Sequence, residues 1–166
     1  MMFSTRAEYG VRVMVALAAE QAKDDSFPSS LAQIAEANGL PFAYLEHLAA
    51  RLKKTGLVES RRGPRGGYLL SRPADQISMA EIVEALEGQI APIECISATD
   101  DGDVVCAREG DEHVICPTKI LWTRVQGSIV RTLKEMSLAD LATANERVNA
   151  RLSAEPIEPS AAVAAG

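Results

Sequence analysis

The sequence predicts a mainly α-helical protein, in which a winged helix-turn-helix with a two-stranded wing is followed by a long C-terminal dimerisation helix. Three observations support this fold class. Two helical segments are joined by a tight glycine turn, a basic glycine-rich hairpin follows them, and a long apolar stripe of helical spacing lies near the C-terminus. A chain of 166 residues is long enough for one small domain with an appended module.

Local signals predict the first two helices. The first helix spans about residues 5–21, and Thr5 and Glu8 have the spacing of a capping box at its start. The second helix spans about residues 29–38. It ends at Gly39, because glycine readily adopts the left-handed conformation that a helix stop favours.

The third helix spans about residues 41–55, with leucines inward at spacings of three and four. Two short strand-like runs, 57–58 and 68–70, then flank a segment rich in Gly, Pro and Arg, which is typical of a hairpin. In a winged helix-turn-helix, the second helix of the pair enters the major groove of DNA. We therefore expect DNA contacts from the outward residues of the third helix and from the hairpin: Ala43, Tyr44, Glu46, His47, Arg51, Arg61, Arg62 and Arg65.

Charge is distributed unevenly along the chain. Residues 1–75 hold ten Lys/Arg and eight Asp/Glu, whereas residues 76–166 hold seven and fifteen, for a total of −6. Six basic side chains lie within residues 51–65 against one acid, Glu59. A clustered basic surface matters more for phosphate binding than the total charge does. The expected partner is therefore a double-stranded DNA operator.

A second capping box, Ser78 to Glu81, opens a short helix, and a long helix follows Pro117. A last helix begins near Ser137, and the Ala/Pro/Ser-rich end is expected to be disordered. The predicted organisation has four parts: a DNA-binding domain (1–75), a short helix with a polar cysteine-bearing loop (76–116), dimerisation helices (117–152) and a tail (153–166).

Three cysteines, Cys95, Cys106 and Cys116, all lie in the polar segment 89–116. An odd number argues against a disulfide framework. The sequence shows no signal peptide and no run of about 20 apolar residues, so we expect a cytoplasmic protein without a membrane span. Thiolates are the usual protein ligands of iron–sulfur clusters, so a cluster is one interpretation of the three cysteines.

Three segments resemble the Rrf2-type bacterial transcription regulators, in particular the IscR- and NsrR-like iron–sulfur regulators. They are Ala-Glu-Tyr-Gly-Val at 7–11, Tyr-Leu-Glu at 44–46 and the wing at 62–70, and the resemblance covers about residues 1–152. It implies a homodimer built on the long helix at 117–136. It also implies a repressor that senses iron, redox state or nitric oxide through a [2Fe–2S] or [4Fe–4S] cluster in the preceding loop.

The same resemblance implies a ligand set of Cys95, Cys106, Cys116 and Glu8 of the partner subunit, because some relatives supply an acid from that position. The intervals between the cysteines here, ten and nine residues, are longer than in the family. His113 or an exogenous group remains an alternative fourth ligand.

Two other classes of function use the same residues. Cys95, Cys106, Cys116 and His113 are a possible Cys₃His zinc site, or two of the thiols form a redox-active disulfide. An enzyme using Cys116 with His113 is disfavoured, because the sequence offers no orienting acid, oxyanion arrangement or cofactor motif. We therefore expect a regulator and not an enzyme.

Overall fold

The structure, a computed structural model, describes residues 3–23, 28–63, 66–91, 93, 96–98, 104–106 and 117–154. Over these residues it has six helices and two antiparallel two-stranded sheets. The mainly α-helical class with a two-stranded wing is thus confirmed. The elements in chain order are α1 Thr5–Lys23, α2 Leu31–Asn38, α3 Phe42–Lys54, β1 Val58–Arg61, β2 Gly67–Leu70, α4 Met79–Glu87, β3 Ile96–Ala98, β4 Val104–Cys106, α5 Lys119–Glu135 and α6 Leu138–Ala154.

One apolar core joins the three N-terminal helices to α4 and to the start of α6. Met14 of α1, Leu48 and Leu52 of α3 and Leu86 of α4 are each at most 1% exposed. Leu138, the first residue of α6, is fully buried in the same core. Full burial of such a side chain contributes about 1.5–3 kcal/mol, so these contacts fix how α3 is presented.

The start of α1 differs from the prediction. Thr5 is already helical, and the residue before it provides the cap, because Ser4 Oγ accepts from the Arg6 N–H at 3.1 Å. Glu8 does not close a capping box. Its Oε1 instead accepts from Arg12 Nε at 2.6 Å, one turn further along the helix.

The other predicted helix signals are confirmed. Gly39 ends α2 with φ 61°, and Ser78 and Glu81 form a capping box at α4. Ser137 and Asp140 repeat that pattern at α6, where the Asp140 N–H donates to Ser137 Oγ at 3.1 Å and the Ser137 N–H donates to Asp140 Oδ2 at 3.0 Å. The Ser137 hydroxyl also donates to Asp140 Oδ2 at 2.7 Å, and this bond together with the one from the Ser137 N–H lowers the pKa of Asp140.

The wing is pinned to the helix-turn-helix by backbone hydrogen bonds. Strands β1 and β2 pair with Val58 opposite Leu70, and Ser29 and Tyr68 exchange two N–H···O bonds of 2.9 Å each. A Cβ at Gly67 would overlap the Ser29 carbonyl, so glycine permits this close approach. The wing is therefore attached to the segment that directly precedes α2.

The cysteine-bearing segment contains structure that was not expected. Residues 89–116 were predicted to be a polar loop, but β3 and β4 within it form an antiparallel pair with Ile96 opposite Cys106. Helix α6 continues to Ala154, two residues past the predicted end of the dimerisation helices. Residues 155–166 lie outside the described part of the chain. Over the described residues, no helix is long and apolar enough to cross a membrane.

Candidate nucleic-acid interface

Helix α3 has one buried and one exposed face. Its inward face consists of Leu45, Leu48, Ala49 and Leu52. Four of the predicted DNA-contacting residues lie on the exposed side: Ala43, Glu46, His47 and Arg51. Because residues three and four apart share a helix face, the buried leucines hold these side chains outward as one surface. A helix presented in this way has the shape that the major groove accepts.

Tyr44 takes a different position from the rest of the predicted set. It is half-buried, and its ring meets that of Tyr9 edge to face, with centroids 5.9 Å apart and planes at 80°. Aromatic pairs of this geometry contribute about 0.5–1.5 kcal/mol beyond their buried area. Tyr44 therefore fixes α3 against α1, while its neighbours face solvent.

The C-terminal end of α3 is bonded to the wing. Lys53 Nζ donates to Ser60 Oγ of β1 at 2.6 Å. The Leu57 N–H donates to the Leu52 carbonyl at 2.9 Å and so closes the helix end. The sequence placed Lys53 in the basic cluster but gave no sign of its bond to Ser60, because that contact depends on how the hairpin folds back.

The structure describes two of the three wing arginines. Arg61 is the last residue of β1, not a tip residue, and Arg62 follows it; both are exposed. The turn is tight, with Gly63 at φ 123° and the Gly66 N–H donating to the Gly63 carbonyl at 2.9 Å. Arg65 lies outside the described residues.

Together, the end of α3 and the wing form a basic surface on the described part of the chain. Its exposed cations are Arg51, Lys53, Lys54, Arg61 and Arg62. Three of them lie in the last turn of α3, where the helix dipole favours positive charge. Exposed guanidinium and ammonium groups beside a groove-sized helix can bind phosphate while the helix contacts base edges.

The predicted metal ligands are only partly within the described residues. Cys95, Cys116 and the alternative ligand His113 lie outside them, and Cys106 is the last residue of β4. Glu8 is about half exposed in its pair with Arg12. Among the described residues no three His, Cys, Asp or Glu side chains form a group that could hold a metal ion. The predicted ligand set therefore stays a prediction.

The chain is similar to known bacterial transcriptional regulators. The profile of the Rrf2 family, described as an iron-dependent transcriptional regulator, matches residues 3–144. The transcriptional regulator CymR of Bacillus subtilis is 34% identical over 143 residues, which cover 86% of this chain and 91% of CymR. IscR of Sodalis glossinidius is 34% identical over 146 residues, which cover 88% of this chain and 81% of IscR.

Two solved structures extend this comparison. The structure of CymR, described as the global cysteine regulator of B. subtilis, has a TM-score of 0.67 at 34% identity and covers 87% of this chain and 98% of its own. The structure of T. potens IscR has a TM-score of 0.66 at 31% identity and covers 96% and 94%. These relatives are transcriptional regulators and not enzymes, as the sequence predicted.

Proposed function

Because the chain belongs to the Rrf2 family of transcriptional regulators, we propose that it is a sequence-specific repressor that binds an operator through α3 and the wing. One observation carries this proposal. The exposed face of α3 and the wing are adjacent, with the Lys53–Ser60 hydrogen bond between them, so one basic surface presents a groove-sized helix beside arginines. In this arrangement Glu46, His47 and Arg51 meet base edges, and Arg61, Arg62 and Arg65 bind phosphate or the minor groove.

The proposed active form is a homodimer. In α5 the apolar side chains of Ile120 and Leu121 are 70% and 55% exposed, on a helix that buries only Gln126. A second copy that packs along α5 would remove this surface from water. A dimer also matches operators with two half-sites, which two symmetric α3 helices read one helical turn apart.

We further propose that an iron–sulfur cluster, [2Fe–2S] or [4Fe–4S], controls DNA binding. The β3–β4 pair supports this ligand set. It places Cys106 opposite Ile96, the residue that directly follows Cys95 in the sequence, so the hairpin takes up the long interval between the two cysteines. Thiolates of Cys95, Cys106 and Cys116 would hold the iron, with Glu8 of the partner subunit as the fourth ligand. When bound, the cluster supplies a centre that changes with oxygen, nitric oxide or iron supply.

A thiol-redox or zinc-dependent regulator without a cluster is the second candidate. The observation that favours it is the similarity to CymR, described as a cysteine regulator. Here two thiols exchange between the reduced state and a disulfide, or the cysteines and His113 bind zinc. Both candidates use the same DNA surface and differ only in the chemistry at the cysteines.

Anaerobic purification separates the two candidates. We expect a brown protein with visible absorbance and with iron and sulfide in the ratio of a cluster, and we expect Cys106→Ala to lose most of that absorbance. Cys106 is the residue to test because it bounds both of the intervals that are longer than in the family. A colourless protein that contains zinc, or one whose free thiols disappear reversibly on oxidation, would instead support the second candidate.

Glu8→Gln tests the fourth ligand. The side chain keeps its length but loses the negative charge that iron binds, so the cluster should be lost faster under air. Glu20→Gln is the matched control, because Glu20 is also an exposed acid of α1 in an ion pair, with Lys23 at 2.8 Å. Identical spectra and identical rates of cluster loss in the two variants would mean that Glu8 is not a cluster ligand and only forms its ion pair with Arg12.

A further inference from the structure

The first turn of α1 is held by a carboxylate from another helix. Glu87, the last residue of α4, accepts from the Ser4 hydroxyl, from Arg6 Nη2 at 3.1 Å and from the Ala7 N–H at 3.1 Å. The side chain of Glu87 is 19% exposed, so the contact is partly shielded from water. Three donors from the start of one helix therefore converge on a single carboxylate that lies 80 to 83 residues away in the sequence.

The position of Glu87 suits α1 better than its own helix. A negative charge at the C-terminal end of a helix is unfavourable, whereas the same charge at a helix N-terminus is favourable. Burial would raise the pKa of Glu87, but hydrogen bonds from Ser4 and Arg6 outweigh it and lower the pKa below its ordinary value. The carboxylate is therefore ionised at neutral pH and available to α1.

The turn of α1 that Glu87 holds also contacts α3. Tyr9 follows Ala7 by two residues and packs on Tyr44 of α3. Gly10 comes next, and the Leu86 side chain occupies the space that a Cβ at Gly10 would need. The ends of α4 and α1 are thus packed tightly beside the tyrosine pair, so a shift of one is transmitted to the other.

On its other side, Glu87 adjoins the segment that leads to the cysteines. Gly88 has φ 87°, and the carbonyl of buried Ile90 accepts from Gln126 Nε2 of α5 at 3.0 Å. Cys95 comes five residues after Ile90 in the sequence. Glu87 therefore joins the first turn of α1 to the chain that leads to the proposed sensor.

We propose that Glu87 is a positioning residue for DNA recognition, which fixes the first turn of α1 and, through Tyr9 and Tyr44, the placement of α3. This rests on the proposed function as a DNA-reading regulator. It adds a route by which a displacement of residues 88–90 reaches α3. The residue touches no base itself, so its removal should lower sequence-specific affinity and leave non-specific affinity unchanged.

The test compares Glu87→Gln with Glu84→Gln in the full chain, with thiols reduced and iron absent. Glu84 lies on the same helix with an exposed side chain, and both variants change the net charge equally. The probe is a fluorescein-labelled duplex that the wild-type protein selects from random-sequence DNA. We expect Glu87→Gln to bind it about tenfold more weakly, which corresponds to about 1.4 kcal/mol. Glu84→Gln should stay within about twofold, and affinity for mixed-sequence DNA should be the same in both.

Amide hydrogen exchange over residues 42–48 measures the effect of Glu87 on α3 without DNA. Exchange should be faster than in the wild type for Glu87→Gln and unchanged for Glu84→Gln. Ser4→Ala, which removes one of the three donors, should show a smaller increase, and it replaces Glu87→Gln in the comparison if that variant folds poorly. Equal exchange and equal duplex affinity in the Glu87 and Glu84 variants would overturn the proposal. If the wild-type protein selects no sequence, the DNA-reading function is wrong, while the exchange rates still decide whether Glu87 positions α3.

Discussion

Helices α3 and α5 are both amphipathic, but only α3 has its apolar face covered by its own chain. Helix α3 buries Leu45, Leu48, Ala49 and Leu52, each at most 1% exposed. Helix α5 is four residues longer, yet it buries one residue, Gln126, and leaves Ile120 and Leu121 largely exposed. The outward face of α3 is therefore accessible without leaving its apolar face uncovered, whereas α5 still presents apolar side chains to solvent.

The buried groups of the two helices also differ in chemistry. All buried side chains of α3 are apolar, while Gln126 of α5 donates to the Ile90 carbonyl and has an Oε1 without a partner among the described residues. Thr123, one turn earlier, likewise has a buried hydroxyl without one. An unsatisfied buried polar group costs about 1–3 kcal/mol, so α5 is anchored less firmly than α3.

The largest expected effect is on folding, through the buried face of α3. Leu52→Ala leaves a cavity in a fully buried site and should lower the free energy of unfolding by about 2–5 kcal/mol, measured by urea denaturation. Phe42→Ala is the control on the same helix, since Phe42 is 46% exposed and its loss should cost about 0.5 kcal/mol or less. Equal costs would mean that the two faces of α3 are not distinct.

The next effect is on assembly, through the exposed face of α5. Leu121→Glu places a charge on the apolar stripe, so we expect the dimer to dissociate while far-ultraviolet circular dichroism stays unchanged. Sedimentation velocity measures the change. Lys134→Glu alters the charge more but lies more than three turns from Leu121, near the other end of α5, and it should remain dimeric. A dimeric Leu121→Glu protein would place the subunit contact elsewhere.

The parts of the fold that the sequence predicted depend on short-range signals. Gly39, the Ser78–Glu81 box and the apolar face of α3 each arise from residues within four positions of one another. The start of α1 does not follow its short-range signal. Thr5 and Glu8 have the spacing of a capping box, but Ser4 and Glu87 accept the hydrogen bonds of the first turn instead. Glu87 is distant in the sequence, so no local pattern could show that it caps this helix.

The β3–β4 pair was missed although a signal was present. Five residues including Gly102 separate the runs Ile-Ser-Ala at 96–98 and Val-Val-Cys at 104–106, and a glycine-containing connection of this length is a hairpin signal. The acidic composition of the segment and its cysteines favoured a loop instead. At the DNA surface, periodicity predicted the exposed side of α3. The contact between the Tyr44 and Tyr9 rings was not predicted, because it depends on how α3 packs against α1.

A smaller effect concerns the wing that α3 holds in place. If Arg62 contacts phosphate, Arg62→Ala should reduce the slope of log affinity against log salt concentration by about one unit. Lys23→Ala is the control, because it removes one positive charge at the far end of α1, where Lys23 pairs with Glu20. The same slope in both variants would mean that Arg62 of the wing does not contact DNA phosphate and that α3 makes the DNA contacts without it.

The smallest effect on stability, and the sharpest test of the comparison, is expected from Glu46→Ala. Glu46 is exposed on α3, so its loss should change the free energy of unfolding by about 0.5 kcal/mol or less. Its carboxylate is repelled by phosphate and by the acceptors of guanine, yet it can accept from cytosine N4, so it excludes some sequences. Glu59→Ala in β1 removes the same charge beside α3 and should strengthen binding without changing which duplexes are selected from random DNA. Only Glu46→Ala should broaden that selection, and an unaltered consensus would show that this face of α3 does not read bases.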